Sequence, residues 1–301
     1  MNAISEPAAV GTAIDLDRLA TWMGTHVAGF AGPITLDKFS GGQSTPPFAL
    51  DTATKRYVLR RKPAGTLLAS AHAVDREYRL LSALHPEGFP VPRPIALCED
   101  ETVIGSAFYV MERVDGRTFW DGKLPDHEAT ERREIYEQMV ATLARLHRFD
   151  PAQVGLTDYG RPGNYFGRQV ARWSRQYRAA QTEDVPEVEK LMDWLSCTVP
   201  EQSSATIIHG DYRLDNLIFD PSGGKVASVI DWELSTIGDP LADFSYFAVH
   251  WIMPADGLAA LGEVDLAPLG IPSLEDITDL YCALSERPRV ANPHWYFAFN
   301  L

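Results

Sequence analysis

The stretch from Ile207 to Asp231 constrains the fold more tightly than any other part of the chain. Two apolar runs, Leu217-Ile218-Phe219 and Val226 to Ile230, flank Asp220-Pro221-Ser222-Gly223-Gly224, a segment with the residue types of a turn. Two such runs around a turn predict a β-hairpin. Asn216 stands just before the outgoing strand and Asp231 just after the returning one, so antiparallel pairing brings both to the hairpin's open end. Asp211 lies in the approach, Ile207-Ile208-His209-Gly210-Asp211-Tyr212-Arg213-Leu214-Asp215-Asn216, and can reach the same point.

Two carboxylates and an amide oxygen converging there are hard oxygen ligands, suited to Mg²⁺ shared with phosphates. Phosphoryl transfer needs metal to neutralise the phosphate oxygens and a base to orient the attacking hydroxyl. Asn216 and Asp231 are the candidate metal ligands and Asp211 the candidate base. The transition state is loose, so a carboxylate of ordinary pKa is sufficient. Turn and cap chemistry is the alternative for these three, and it is the expectation for Asp215, Asp220 and Asp239.

Upstream, residues 1–14 lack periodicity and read as a loose tail. Asp15 then caps a helical stripe of Leu16, Leu19, Met23 and Val27. Strands are expected from Ile34 to Phe39, Phe48 to Leu50 and Tyr57 to Arg60, with turns at 40–44 and 51–54. A helix from about Ser70 to Leu84 buries Val74, Tyr78 and Leu81. Glu77 shares that inward face, where an acid requires a partner. After Pro90, Pro92 and Pro94 come strands at about Ile95 to Leu97 and Ala107 to Met111, and Gly116 ends the sheet. The rest reads as mainly helical, through Ile135, Met139, Leu143 and Leu146, then Trp173 and Tyr177, then Val188, Leu191 and Leu195. His147 ends the first of these helices, where packing and helix-end charge account for it.

The chain has 27 Lys and Arg against 41 Asp and Glu, a formal charge of −14, which argues against general nucleic-acid binding. No apolar stretch reaches membrane-span length, and Met1-Asn2-Ala3-Ile4-Ser5-Glu6 lacks a basic signal-type start, so no membrane partner and a cytoplasmic location are expected. Cys98, Cys197 and Cys282 lie far apart and suit neither disulfides nor a zinc site.

His209-Gly210-Asp211 with Asn216 five residues on resembles the catalytic loop of the aminoglycoside phosphotransferase and choline kinase superfamily, and is similar to the loop of protein kinases. Ile230-Asp231-Trp232-Glu233 resembles the family's metal-binding segment, and Gly238-Asp239-Pro240-Leu241-Ala242-Asp243 the segment that follows it. The resemblance implies an α+β, protein-kinase-like two-lobe fold: after the tail, a nucleotide-binding lobe over 15–115 and a helical lobe over 116–301 with the catalytic loop and acceptor site. It implies ATP and Mg²⁺ as cofactors and a small-molecule hydroxyl acceptor. His209 would support the loop rather than act as base. Ser40, Gly41, Gly42, Gln43 and Ser44 would cover the ATP phosphates, with glycines allowing close backbone approach. Arg60 or Lys62, on one strand face, would meet phosphate, with Glu77 pairing that cation. Adenine would meet backbone groups near Glu112 and Val114.

Tyr57 to Pro63 with Ala71 to Tyr78, and Asn164-Tyr165-Phe166 with Arg168, Arg172 and Trp173, look like the kinase-like domains that precede acyl-CoA dehydrogenase domains. That subgroup implies a hydroxyacyl-CoA or related hydroxy acid as acceptor, with Arg168 and Arg172 either receiving an anionic part or simply solvated. The apolar run His294 to Leu301 reads as the start of a core helix that relatives continue. A nucleotide-binding pseudokinase with a regulatory role is the alternative function; a protein kinase is disfavoured by the missing Asp-Phe-Gly and Ala-Pro-Glu signatures.

Overall fold

The computed structural model describes residues 14–39, 47–62, 74–202, 204–254, 259–290 and 292–301. Two compact units divide the chain: residues 1–85 with 92–113, and residues 86–91 with 114–301. The expected phosphate loop at Ser40, Gly41, Gly42, Gln43 and Ser44, and the first turn of the helix expected from Ser70, lie outside the described residues.

In the first unit α1 (Leu16–His26) starts at Asp15, whose Oδ1 accepts the N–H groups of Asp17 and Arg18 at 3.1 and 3.0 Å. Leu19 and Met23 are buried with Val27, whereas Leu16 faces solvent, one turn too early to reach the core. Ile14, which reads as tail in the sequence, packs partly buried against that core. The sheet contains β1 (Thr35–Lys38), β2 (Phe48–Asp51), β3 (Arg56–Arg61), β4 (Pro94–Cys98) and β5 (Phe108–Glu112), all antiparallel, in the order β1-β2-β3-β5-β4. Leu50, Leu59, Phe108 and Val110 join Leu19 and Met23 in the core of one sheet face. Between β3 and β4 the chain forms α2 (Val74–Leu84), which packs on β4 and β5. Its buried face is Val74, Glu77, Leu80, Leu81 and Leu84; Tyr78 is only half-buried, because Leu80 takes the inner position.

The second unit is built on α3 (Ala129–His147), whose Ile135, Met139, Leu143 and Leu146 are buried. Next come α4 (Tyr165–Ala180) and α5 (Pro186–Cys197). α4 carries Trp173 and Tyr177 as expected, but its buried residues are Tyr165, Phe166 and Val170, while Trp173 is 57% exposed. On α5 it is Met192 and Leu195 that are buried, with Val188 and Leu191 only half-buried.

Four short strands follow: β6 (Thr206–Ile208), β7 (Leu217–Phe219), β8 (Val226–Val229) and β9 (Thr236–Gly238). β7 and β8 form the expected hairpin; β9, too short to show a strand pattern, pairs antiparallel with β6. Gly116 approaches the hairpin so closely that a Cβ there would lie 2.3 Å from the Phe219 carbonyl oxygen, and only glycine fits. The chain continues through α6 (Pro240–Ala248), α7 (Leu266–Leu269), α8 (Leu274–Leu284) and α9 (Pro293–Asn300). α8 packs on α3, and α9 on α5 and α6. The run read as the start of a core helix is α9: Trp295, Tyr296 and Phe297 are buried, and Trp295, Tyr296 and Phe299 surround Phe166 of α4 at centroid distances of 5.0–5.3 Å for Phe299 and Tyr296 and 5.1 Å for Trp295. Among the described residues no helix is long and apolar enough to cross a membrane. Cys98, Cys197 and Cys282 are free thiols.

Candidate active site

The hairpin register decides where the acids go. Leu217 pairs with Val229, and the Ile230 N–H donates to the Asn216 carbonyl at 3.0 Å, so Asn216 and Asp231 flank the open end. Asp231 has φ 66°, ψ 60°, a left-handed backbone that Asp tolerates better than most residues, and one that recurs where function demands it. Asn216 is buried, and its Nδ2 donates to both the backbone oxygen and Oδ2 of Asp211, each at 2.9 Å. That fixes the amide so that Oδ1 turns away from Asp211 as the available acceptor.

Asp211 is half-buried and held on its other oxygen as well. The Tyr246 hydroxyl donates to Oδ1 at 2.8 Å, and the Arg213 guanidinium stands 3.2 Å from the same atom. Burial, then the charge of Asp211, pushes the Tyr246 hydroxyl far above its usual range, so it remains a proton donor. Arg213 also meets Asp215 at 3.0 Å. Asp215, expected in a turn or cap, is instead a buried ion-pair partner, and burial raises its pKa despite Arg213. Asp220 and Asp239 do take the expected roles: Asp220 accepts from the Ser222 N–H and hydroxyl in the hairpin turn, and Asp239 caps α6 through the Leu241 N–H.

The loop carrying Asp211 is fixed from beneath. His209 is fully buried; its Nδ1 accepts the Asp211 N–H at 3.2 Å and its Nε2 donates to the Ile230 carbonyl at 2.9 Å. It thereby ties the loop to the hairpin. Gly210 has φ 86°, and a Cβ there would meet the Leu234 carbonyl oxygen at 2.7 Å. The N–H groups of His209 and Gly210 both donate to the Asp243 carboxylate, the latter at 2.7 Å. Asp243 is 1% exposed and also faces His147 Nε2 at 3.3 Å, while His147 Nδ1 meets the Tyr281 hydroxyl at 2.7 Å. His147 is therefore part of a buried network rather than a helix-end charge, and burial lowers its pKa below the ordinary histidine value. Asp243, Tyr246 and Arg213 are the site residues that sequence reasoning did not single out. A signal existed for Asp243: it is an acid inside Pro240-Leu241-Ala242-Asp243-Phe244, an otherwise apolar helix start, where burial demands a partner.

In the first unit, register again sets the geometry. Arg60 of β3 lies directly opposite Tyr109 of β5, so both face α2. Glu77, 3% exposed, accepts the Tyr109 hydroxyl at 2.9 Å and meets Arg60 Nε at 3.3 Å. Lys62 is exposed at the strand end, where its N–H donates to the Ala107 carbonyl. Glu112 is exposed and its N–H bonds to the Arg93 carbonyl; Val114 is half-buried.

Among the described residues no group of three His, Cys, Asp or Glu could enclose a metal. One carboxylate and one amide oxygen fit Mg²⁺, which keeps water and shares phosphate oxygens, better than they fit a metal needing a full protein cage. A separate apolar cavity of about 440 Å³ on another side of α6, lined by Leu241, Phe244, Ile252, Tyr296 and Phe297 among others, contains none of the candidate catalytic or metal-binding residues.

Residues 35–273 match the model of the phosphotransferase enzyme family. Mouse (Mus musculus) acyl-CoA dehydrogenase family member 10 is 42% identical over 280 residues, covering 92% of this chain and 26% of that protein. Human (Homo sapiens) acyl-CoA dehydrogenase family member 11 is 40% identical over 296 residues, covering 95% of this chain and 37% of that protein. The chain thus spans between a quarter and two fifths of these relatives. A crystal structure from Ralstonia eutropha, assigned as an aminoglycoside phosphotransferase, matches at 44% identity and a TM-score of 0.87, covering 96% of this chain and 85% of that one. The family match over residues 35–273 and relatives at this level of identity, on an α+β scaffold, make the chain a member of the phosphotransferase enzyme family.

Proposed function

We propose that this phosphotransferase-family chain moves the terminal phosphoryl group of ATP, with Mg²⁺, onto a hydroxyl of a hydroxyacyl-CoA or a related hydroxy acid. The observation that supports this reading best is Asp211 held from both sides, by Asn216 on Oδ2 and by Tyr246 and Arg213 on Oδ1, at the open end of a hairpin that also ends in Asp231. When bound, Mg²⁺·ATP supplies the transferable group and the positive charge that offsets its oxygens. The chain's own residues do the rest. Asp211, held in one rotamer, accepts a hydrogen bond from the acceptor hydroxyl and takes its proton as that oxygen bonds to phosphorus. Asn216 Oδ1 and the Asp231 carboxylate would hold the cation. Arg60, kept on its strand face by Glu77, would meet phosphate, and backbone groups near Glu112 and Val114 would receive adenine. The acceptor class rests on the relatives' acyl-CoA names and on the α4 segment that resembles theirs.

A coupled assay of ATP consumption against hydroxyacyl-CoAs, free hydroxy acids, aminoglycosides, choline and sugars tests the reading. Turnover is expected with the hydroxyacyl-CoAs. A thermal shift with Mg²⁺·ATP that vanishes with chelator should accompany it, about 2.7 kcal/mol at a hundredfold excess over Kd. A shift without turnover of any acceptor would favour a nucleotide-binding regulator instead.

A further inference from the structure

In a chain of net charge −14, α4 carries Arg168, Arg172, Arg175 and Arg178 and no acid. Spacings of four and three align the first three along one helical stripe. Two of the four are already engaged: Arg168 donates to the carbonyls of Arg161 and Gly163, and Arg178 meets Glu189 of α5 at 2.8 Å. Arg172 and Arg175 are exposed and, among the described residues, meet no carboxylate. Beside them Trp173 is 57% exposed, with the Arg172 guanidinium 5.3 Å from its ring centroid. Packing does not require this tryptophan, because Tyr165, Phe166 and Val170 already bury the helix's inner face.

The helix is also placed relative to the chemistry. Its first turn is pinned to the strand pair that leads into the catalytic loop: a Cβ on Gly238 of β9 would touch both the Tyr165 ring and the Ile208 side chain of β6. Behind it, Phe166 sits in the aromatic cluster of α9. From Tyr165 to Arg175 the helix rises ~15 Å. A ligand that uses both ends of this helix is long, with a reacting hydroxyl at one end and an aromatic, multiply anionic head at the other. The acceptor class proposed above has that shape, and the inference rests on that reading. We infer that Arg172, Trp173 and Arg175 form a subsite for the nucleotide head of a coenzyme A thioester. Adenine stacks on the indole face away from Arg172, and the phosphates meet the guanidinium groups, which match phosphate geometry in a bidentate way.

Isothermal titration with desulfo-coenzyme A, which cannot react, tests the subsite apart from turnover. The wild-type protein is expected to bind it, and both Arg172→Glu/Arg175→Glu and Trp173→Ala to bind at least about tenfold more weakly. All three positions are exposed, and circular dichroism melts check that the variants stay folded. No binding to the wild type, equal binding by the double variant, or displacement by inorganic phosphate as readily as by adenosine 3′,5′-bisphosphate would each overturn the subsite. So would loss of binding to phosphatidylserine vesicles in the double variant with desulfo-coenzyme A unaffected, which would make α4 a membrane-facing surface. The two readings fail separately. Hydroxyacyl-CoA turnover with an unchanged KM in the double variant keeps the acceptor and removes the subsite. Variant-sensitive desulfo-coenzyme A binding without hydroxyacyl-CoA turnover keeps the subsite and removes the acceptor.

Discussion

At the scale of single residues, the two acids at the hairpin end are chemically alike but differently held, and charge removal without change of shape should separate them. Asp211 is gripped by an amide, a phenol and a guanidinium, which fix its direction. Asp211→Asn is expected to retain nucleotide affinity while turnover drops by roughly 10²-fold or more, the scale of general-base catalysis. Asp231→Asn is expected to raise the Mg²⁺ requirement and weaken nucleotide binding, since a formal charge beside the cation is lost. Wild-type rates in Asp211→Asn, measured at saturating substrate, would overturn the assignment of the base. In the first unit, Arg60→Lys is expected to raise the KM for ATP more than Lys62→Ala does. Arg60 is half-buried and paired with the buried Glu77, whereas Lys62 is exposed at the strand end. The opposite ranking in steady-state kinetics would move the phosphate-binding cation two residues along the strand.

At the scale of elements, the loop carrying Asp211 is positioned by α6 from below and by the β7–β8 hairpin from the side. One carboxylate, Asp243, receives two consecutive backbone N–H groups of the loop, so the loop's position is tied to the start of α6. Asp243→Asn keeps the shape but turns one acceptor into a donor facing backbone N–H groups. A loss of about 3 kcal/mol is expected, as for breaking a buried charged network. If the role is positioning, kcat should fall with little change in the KM for ATP; a melting shift with kcat intact would leave Asp243 purely structural. This tie was not legible in the sequence as a contact. His209 and Asp243 lie 34 residues apart, and only the packing of α6 under β6 brings them together. The hairpin was legible because its information is local: two apolar runs, a Pro-Ser-Gly-Gly turn, and the fixed geometry of antiparallel pairing.

At the scale of the whole molecule, stability should carry the mark of buried histidine. His147 has a folded pKa lowered by burial, so the unfolded chain binds a proton there that the folded chain refuses. Stability from this group is complete above pH ~6.5 and declines as pH falls below it, by at most about 1.4 kcal/mol per pH unit. Asp215, with its pKa raised by burial, works in the opposite sense just above pH ~4, where the folded chain holds the extra proton. Urea midpoints between pH 7.5 and 5.5 should therefore fall on acidification, and a flat profile would contradict a neutral buried His147. The sequence by itself determined the elements whose signals are short-range. These are the capped α1, the strands of the first unit, the α3 stripe and the hairpin that brings Asn216 and Asp231 together, since turn chemistry, period and pairing act over a few residues. Only the tertiary structure decided which side chains meet across long separations. It chose Arg60 over Lys62 as the partner of Glu77, set Tyr246 on Asp211, made β9 a partner of β6, drew His147 into a buried network and left Trp173 exposed. Each depends on which helix face the neighbouring elements cover, and no local pattern encodes that choice.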